Sequence, residues 1–233
     1  MKIADFLLDL IFPNRCPFCD KIIEWNRPYC EECFEEIEYT NDDNCSKCGQ
    51  SPCSCQYKNG KRVFPYYDTC TSVAYYTSSV RDLILNFKYR DNPNISKLIA
   101  KMIYEVIENN EYNSPLIVAV PMLAKDKKVR GYNQAELIAK ELSKQTGFEL
   151  IKNNLIKVKN TSSQKKLTEV QRRKNLIKAF EVKNKEVFKD REVILVDDVI
   201  TTGATLSECS KILKRAGAIK VDAVVFASTS FYS

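Results

Sequence analysis

Apolar residues along this chain fall into two rhythms. Some recur at three- and four-residue steps, as on a helix with one buried face. Others stand in short unbroken runs or in strict alternation, as in strands. Thr71–Tyr76 alternates like a strand. Ser78–Tyr89 and Ile95–Glu108 repeat at helical spacing and are divided by the breaker Asn92-Pro93. Leu116–Val120 is an unbroken apolar run closed by Pro121, the pattern of a strand buried on both faces. Met122–Gly131 reads as a loop. Asn133–Thr146 reads as a helix with Ala135, Leu137, Ile138 and Leu142 apolar. Short strands are expected at Leu155–Val158 and Ala179–Val182. A second buried strand, Val193–Val196, is expected to end before two aspartates. A helix follows over 204–216, with Leu206, Cys209, Leu213 and Ala216 on one face, and Val221–Ala227 closes as a last strand. Strands alternating with helices predict an α/β fold: a mostly parallel sheet flanked by helices, with right-handed crossovers.

The first sixty residues follow neither rhythm. MKIADFLLDLIF is apolar but short and is interrupted by Asp5 and Asp9. It lacks the basic start and small-residue cleavage site of a signal peptide and predicts a packed amphipathic helix. No apolar run is long enough to span a membrane. A cytoplasmic chain with reduced thiols is expected. Eight of the ten cysteines then lie between residues 16 and 55, as Cys16-x2-Cys19, Cys30-x2-Cys33, Cys45-x2-Cys48 and Cys53-x-Cys55. A C-x2-C knuckle presents two thiolates to one ion, and two knuckles complete a tetrahedral zinc site. The chain has no histidine, so any such site is all-cysteine, closed and structural. Ten residues separate the first two pairs, but only four separate Cys48 from Cys53. Sequential pairing, cross-braced pairing, or one site with spare thiols all remain open. Lys58-Asn59-Gly60-Lys61 reads as a linker, giving a zinc module over 1–60 and an α/β body over 61–233. Trp25, Cys70 and Cys209 are read as packing residues.

Charge sharpens this division. The formal net charge is +6. Residues 1–60 carry 6 Lys/Arg and 11 Asp/Glu, net −5, while 61–233 carry 30 and 19, net +11. The excess is concentrated in 152–191, with 13 basic and 4 acidic residues. Such a segment serves an anionic substrate, nucleic acid or a solvated face.

The stretch VILVDDVITTGATLSE carries the most specific chemistry. In open α/β sheets ligands bind beyond the carboxyl ends of strands. Thr201, Thr202, Gly203, Ala204 and Thr205 form a small, hydroxylated loop leading into a helix, whose N-terminal N–H groups suit a phosphate. Asp197 and Asp198 are acceptors suited to vicinal hydroxyls or to hydrated Mg²⁺. Hydroxyl acceptors beside a phosphate cradle describe a ribose 5-phosphate site. No lysine follows the glycine, so this is not a Walker A loop. Upstream, KDKKVRGYNQ sets four basic residues before Gly131 and a helix start at Asn133, a place for a polyanion.

DDVITTGAT closely resembles the signature loop of type I phosphoribosyltransferases, which bind phosphoribosyl pyrophosphate (PRPP). Arg130-Gly131-Tyr132-Asn133-Gln134 and Gln164-x2-Leu167-x4-Arg172-x2-Asn175, followed by Lys-Ala-Phe180, resemble segments of the ComF family. So do Phe87-Lys88-Tyr89-Arg90 and the cysteine-rich front. The likeness covers nearly the whole chain, although the compressed last cysteine pair departs from the family's usual pattern. It implies that Asp197 and Asp198 hold the ribose hydroxyls and that the TTGAT loop wraps the 5-phosphate. It implies that Lys88, Arg130 and Mg²⁺ meet the pyrophosphate, and that Thr161–Arg173 is the loop closing over the site. Gln164, Arg172 and Asn175 then either touch substrate or tie that loop to the body. It also implies one or two structural zincs and a role in natural transformation on incoming single-stranded DNA. Partners from the competence machinery, such as a DNA helicase or translocase, belong to the same implication.

Two functions follow. One is phosphoribosyl transfer to an unknown acceptor, by positioning and by stabilising departing pyrophosphate. The other is a non-catalytic single-stranded-DNA scaffold. Its contacts would come from the basic segment, through Lys165, Lys166, Arg172 and Arg173, with Phe180 and Phe188 nearby. A third, weaker reading makes the zinc module and first helix a protein-docking surface.

Overall fold

The structure is a computed structural model. It describes residues 13–229 apart from 25, 42–43, 50–52, 54, 59–60, 64, 90–93, 161–175 and 177. Its centre is a five-stranded sheet built from the apolar runs. In chain order the strands are β3 (Thr69–Tyr75), β4 (Leu116–Ala119), β5 (Leu150–Ile151), β8 (Glu192–Ile200) and β9 (Lys220–Ser228). In space the order is β3-β9-β8-β4-β5, and every pairing is parallel.

Alternation along each strand divides the core in two. Ile117, Ile194, Val196, Val224 and Phe226 face one layer. That layer is filled by α2 (Ser78–Tyr89), α3 (Asn94–Ile107) and α5 (Gln134–Thr146). Leu116, Val118, Val193, Leu195, Val221, Ala223 and Val225 face the other. There α6 (Ala204–Arg215) packs with the antiparallel ribbon of β6 (Leu155–Lys157) and β7 (Phe180–Val182).

The connections out of the sheet decide where a ligand can bind. From β4 the chain moves outward to β5, and from β8 it moves outward the other way to β9. The neighbours β4 and β8 therefore form the switch point where a crevice opens at their carboxyl ends.

Three expectations are corrected. β8 does not end at Val196: pairing with β4 stops at Ala119↔Val196, but pairing with β9 continues to Ile200↔Ser228. One neighbour suffices to keep Asp197 and Asp198 in strand conformation while leaving their other side open. Met122–Gly131 is not all loop, because Ala124–Arg130 forms the short helix α4. It buries no residue and has no apolar stripe to reveal it. Lys58 and Lys61 do not lie in a free linker: they pair across a hairpin of β1 (Gln56–Lys58) and β2 (Lys61–Val63). The amphipathic helix expected in the first twelve residues lies outside the described residues, as do Gln164, Lys165, Lys166, Arg172, Arg173 and Asn175.

The cysteine-rich front is seated on the body. Cys16, Phe18 and Ile37 are buried in the same cluster as Val80, Leu83 and Phe87 of α2. Asn86 Nδ2 donates to the Pro17 carbonyl at 2.8 Å. The open edge of β3 is covered as well. Tyr39 bridges Ala74, Thr40 N–H donates to Val73 and Tyr75 N–H to Glu38. The cover protects an edge that would otherwise pair with other chains.

Candidate functional site

A cleft of about 950 Å³ lies at the switch point, and Lys88, Arg130, Asp197, Asp198 and Thr205 of the expected site residues line it. Asp197 and Asp198 enter because β8 outruns β4. Asp198 N–H donates to Asp197 Oδ1 at 2.9 Å, which turns the two carboxylates into one unit. Burial, and next the Asp198 charge, hold the Asp197 carboxyl well above the usual carboxylate range. Lys88, at the C-terminal end of α2, reaches Asp198 Oδ2 at 2.9 Å. Burial alone would push its ammonium down, but Asp198 and then Asp197 outweigh it, so Lys88 stays a cation.

The Arg-Gly-Tyr-Asn-Gln segment fastens that lysine in place. Gly131, at φ 91°, ends α4 in a conformation that favours glycine. Asn133 caps α5, accepting from Ala135 N–H, while its Nδ2 donates to the Val120 carbonyl at 2.9 Å. Tyr132 Oη and Gln134 Nε2 both donate to the Phe87 carbonyl, one residue before Lys88. Arg130 Nη1 donates to Gln134 Oε1 at 3.0 Å, which leaves the rest of its guanidinium fork toward the cleft. The motif is thus partly a clip between α2 and the loop after β4. Tyr132→Phe is expected to cost about 1 kcal/mol of stability, since Gln134 still serves the same carbonyl. Urea unfolding checks this, and an unchanged midpoint would remove the tyrosine from the clip.

The phosphate-type loop lies beside the acidic pair. Gly203, at φ 67°, is the N-cap of α6 and brings no side chain of its own to cap it. Thr202 Oγ1 accepts weakly from Ala204 N–H at 3.4 Å. Of the loop, Thr205 lines the cleft, while Thr201, Thr202, Gly203 and Ala204 do not, nor does Gly131.

Lys157 was missed by the sequence reading. It lines the cleft from β6, with Nζ 5.8 Å from the centre of the Phe180 ring, and burial pushes its ammonium down. The signal was available: Lys157 is two residues from buried Leu155, so a cation stands on the inward face of a strand. The cations Lys88, Lys125, Arg130 and Lys157 and the acidic groups Asp126, Asp197 and Asp198 thus line one cleft. That mixture suits a ligand with both anionic and hydroxylated parts.

The cysteines resolve the open pairing question. Cys16, Cys19, Cys30 and Cys33 form one cluster, and Cys45, Cys48, Cys53 and Cys55 a second, with sulfurs in each within 4.8 Å of one another. Pairing is sequential, and the compressed last pair takes full part. All ten cysteines are free thiols. In the first cluster burial would raise Cys16, but N–H groups of Cys30, Cys19 and Phe18 outweigh it and bring the thiol to about 7. In the second, Cys53 likewise falls to about 7 against its burial, helped by the Cys55 N–H. Burial and the neighbouring thiols push Cys33 and Cys55 up. Four thiolates need a dication among them, and closed tetrahedral zinc fits both sets. Such a zinc would be structural, and these eight sulfurs are the donors that could hold it.

Comparison with known proteins agrees with this anatomy. The phosphoribosyl transferase domain family matches residues 88–230, and the double zinc ribbon domain matches 7–72. Competence protein F of Haemophilus influenzae is 32% identical over 208 residues, covering 87% of this chain and 85% of that protein. The DNA utilization protein YhgH of Escherichia coli is 24% identical, covering 88% and 86%. Competence protein ComFC of Streptococcus pneumoniae is 26% identical, covering 81% and 82%.

Proposed function

The chain belongs to the ComF family, with a phosphoribosyl transferase domain behind a double zinc ribbon, and on that premise we propose that it binds PRPP in the switch-point cleft and serves DNA uptake. The observation that carries the binding reading is the placement of Asp197 and Asp198, the latter paired with Lys88, in one cleft with Thr205 at the start of α6. The 5-phosphate would lie on the N–H groups of Thr201–Thr205, and the two ribose hydroxyls on the aspartates. Arg130, Lys157 and Lys88 would face the pyrophosphate. Mg²⁺ would find hard oxygen donors in Asp126, Asp197 and Asp198 and would neutralise pyrophosphate charge. The chain's own contribution is to hold C1 open to attack and to keep the leaving group among cations, with no covalent nucleophile.

Single-stranded DNA is the proposed macromolecular partner. The names of the relatives, competence protein and DNA utilization protein, support it, as does the +9 segment of 152–191 that borders the cleft through Lys157 and Asn160. A scaffold that holds DNA without transferring the phosphoribosyl group rests on the same segment. Two titrations of the full chain test the function: PRPP with Mg²⁺ by calorimetry, and a random oligonucleotide across a salt series. PRPP binding is expected. The logarithm of DNA affinity should fall linearly with log salt, and neutralising Lys165, Lys166, Arg172 and Arg173 should flatten the slope by roughly 3, about 0.7 per cation. DNA binding whose slope survives that change would move the contact elsewhere.

A further inference from the structure

The segment between the hairpin and β3, Pro65–Asp68, touches both the second cysteine cluster and the loop that opens α6. On the cluster side, Lys47 Nζ donates to the Asp68 carbonyl at 2.6 Å. Cys70 N–H donates to the Ser46 carbonyl at 2.9 Å. Ser46 and Lys47 lie inside the knuckle between Cys45 and Cys48, so their positions are set by how those two sulfurs are held. On the α6 side, Tyr66 N–H donates to Ser207 Oγ at 3.1 Å, and Asp68 Oδ1 accepts from Lys214 Nζ at 2.7 Å.

Between these anchors stands Tyr67. It is 3% exposed and packs in one cluster with Cys70, Ile200 and Leu206. Its hydroxyl closes over Gly203: a Cβ built there would stand 2.8 Å from Tyr67 Oη. The glycine is therefore required by the tyrosine above it as well as by its left-handed backbone. Burial pushes the Tyr67 phenol up, and the ring stands between Cys70 of the cluster side and the Gly203 loop.

We propose that Tyr67 is a positioning residue that couples metal occupancy of the Cys45–Cys48–Cys53–Cys55 site to the shape of the Thr201–Thr205 loop. With the metal in place the knuckle holds Asp68 and Cys70, these hold Tyr67, and Tyr67 holds Gly203 at the start of α6. Without it the knuckle loosens and the loop loses its clamp. The first cluster has a different seat, against α2 through Pro17, Phe18 and Asn86. It serves as the internal control. The consequence for PRPP affinity rests on the binding reading above; the coupling itself does not.

The experiment compares the full chain with Cys53→Ser, Cys19→Ser and Tyr67→Phe. Cys53 and Cys19 are the exposed ligands of their clusters, so each exchange is the mildest way to empty one site. Zinc content, amide hydrogen exchange over 202–207 and PRPP titration are read on each. Cys53→Ser and Cys19→Ser should each lose one zinc. Exchange over 202–207 should rise about fivefold or more in Cys53→Ser and in Tyr67→Phe, and stay unchanged in Cys19→Ser. PRPP affinity should fall in the same two variants. Unchanged exchange in a Cys53→Ser that has lost its zinc, unchanged exchange in Tyr67→Phe, or an equal rise in Cys19→Ser overturns the coupling. A wild type that gives no PRPP heat overturns the binding reading alone, because exchange still decides the coupling. Should Cys53→Ser fail to fold, Lys47→Ala, which keeps all eight cysteines and removes the knuckle's bond to Asp68, carries the decision with Tyr67→Phe: unchanged exchange over 202–207 in either overturns the coupling.

Discussion

Replacing both aspartates, as Asp197→Asn with Asp198→Asn, is expected to lower PRPP affinity at least tenfold. Each hydrogen bond from a ribose hydroxyl to a carboxylate is worth roughly 1.5–3 kcal/mol, and about 1.4 kcal/mol is a factor of ten. Asparagine is chosen over alanine because Asp198 is the partner of Lys88 at 2.9 Å, and the amide keeps the shape and an acceptor oxygen for that ammonium. The unliganded protein should respond in the opposite sense at position 197. A carboxyl held above its usual range binds its proton more tightly folded than unfolded. Its contribution to stability is therefore full at low pH and is lost as pH rises from about 4 through the raised folded value. Asp197→Asn alone should leave the unliganded protein as stable as wild type or more so at neutral pH. It should also remove that part of the decline with pH. Paired calorimetric titration and thermal unfolding at several pH values read both effects. A variant that binds PRPP like wild type, or one that is destabilised while still binding, would mean that these carboxylates serve the fold and not a ligand.

Removal of zinc is expected to have the other large effect, and on the whole chain. In zinc-finger peptides one such site is worth about 10–16 kcal/mol of folding free energy near neutral pH. The sequence alone, with a zinc module over 1–60 and a body over 61–233, predicts that chelation unfolds the front before the body. The packing argues for a shared fate. Cys16, Phe18 and Ile37 fill the α2 layer, and residues 38–40 cover the edge of β3. Chelation should therefore expose both an apolar face and an open strand edge. The melting temperature of the body should drop by about 10 °C or more, since each kcal/mol lost shifts a domain of this size by roughly 2–4 °C. Aggregation should accompany it. Circular dichroism of metal-free protein reads this, and a body that melts at an unchanged temperature would restore the picture of two independent units.

Much of this architecture was legible because its signals are local. The helix Ser78–Tyr89 was bounded by apolar spacing alone, and α5 by Asn133 as its cap. The two buried strands Leu116–Val120 and Val193–Val196 announced themselves as unbroken apolar runs. What escaped depends on pairing across the sheet or on absence of burial. Asp197 and Asp198 are poor strand formers, and only the longer neighbour β9 keeps them extended. The helix α4 is charged nearly all round, so periodicity had nothing to detect. β5 is two residues long.

The site was legible in its chemistry and less so in its contacts. Cysteine spacing picked out the eight cysteines that the fold gathers into two clusters, but their grouping required the fold, because the compressed last pair could equally have been spare. The Arg-Gly-Tyr-Asn-Gln segment was read as an anion site. Tyr132 and Gln134 turn out to share the Phe87 carbonyl, a contact between residues 45 and 47 positions apart that no local pattern encodes. Tyr67 over Gly203 is of the same kind: the glycine was visible, the reason for it was not.

The central claim is that the crevice between β4 and β8 is a PRPP site. A crystal structure of the full chain grown with PRPP and Mg²⁺ tests it most directly. The 5-phosphate is expected against the backbone of Thr201–Thr205, the ribose hydroxyls on Asp197 and Asp198, and the pyrophosphate toward Arg130 and Lys157. A cleft that stays empty at saturating PRPP, or a phosphate bound away from α6, would contradict the account and leave a DNA-handling protein built on a fold whose site is no longer used.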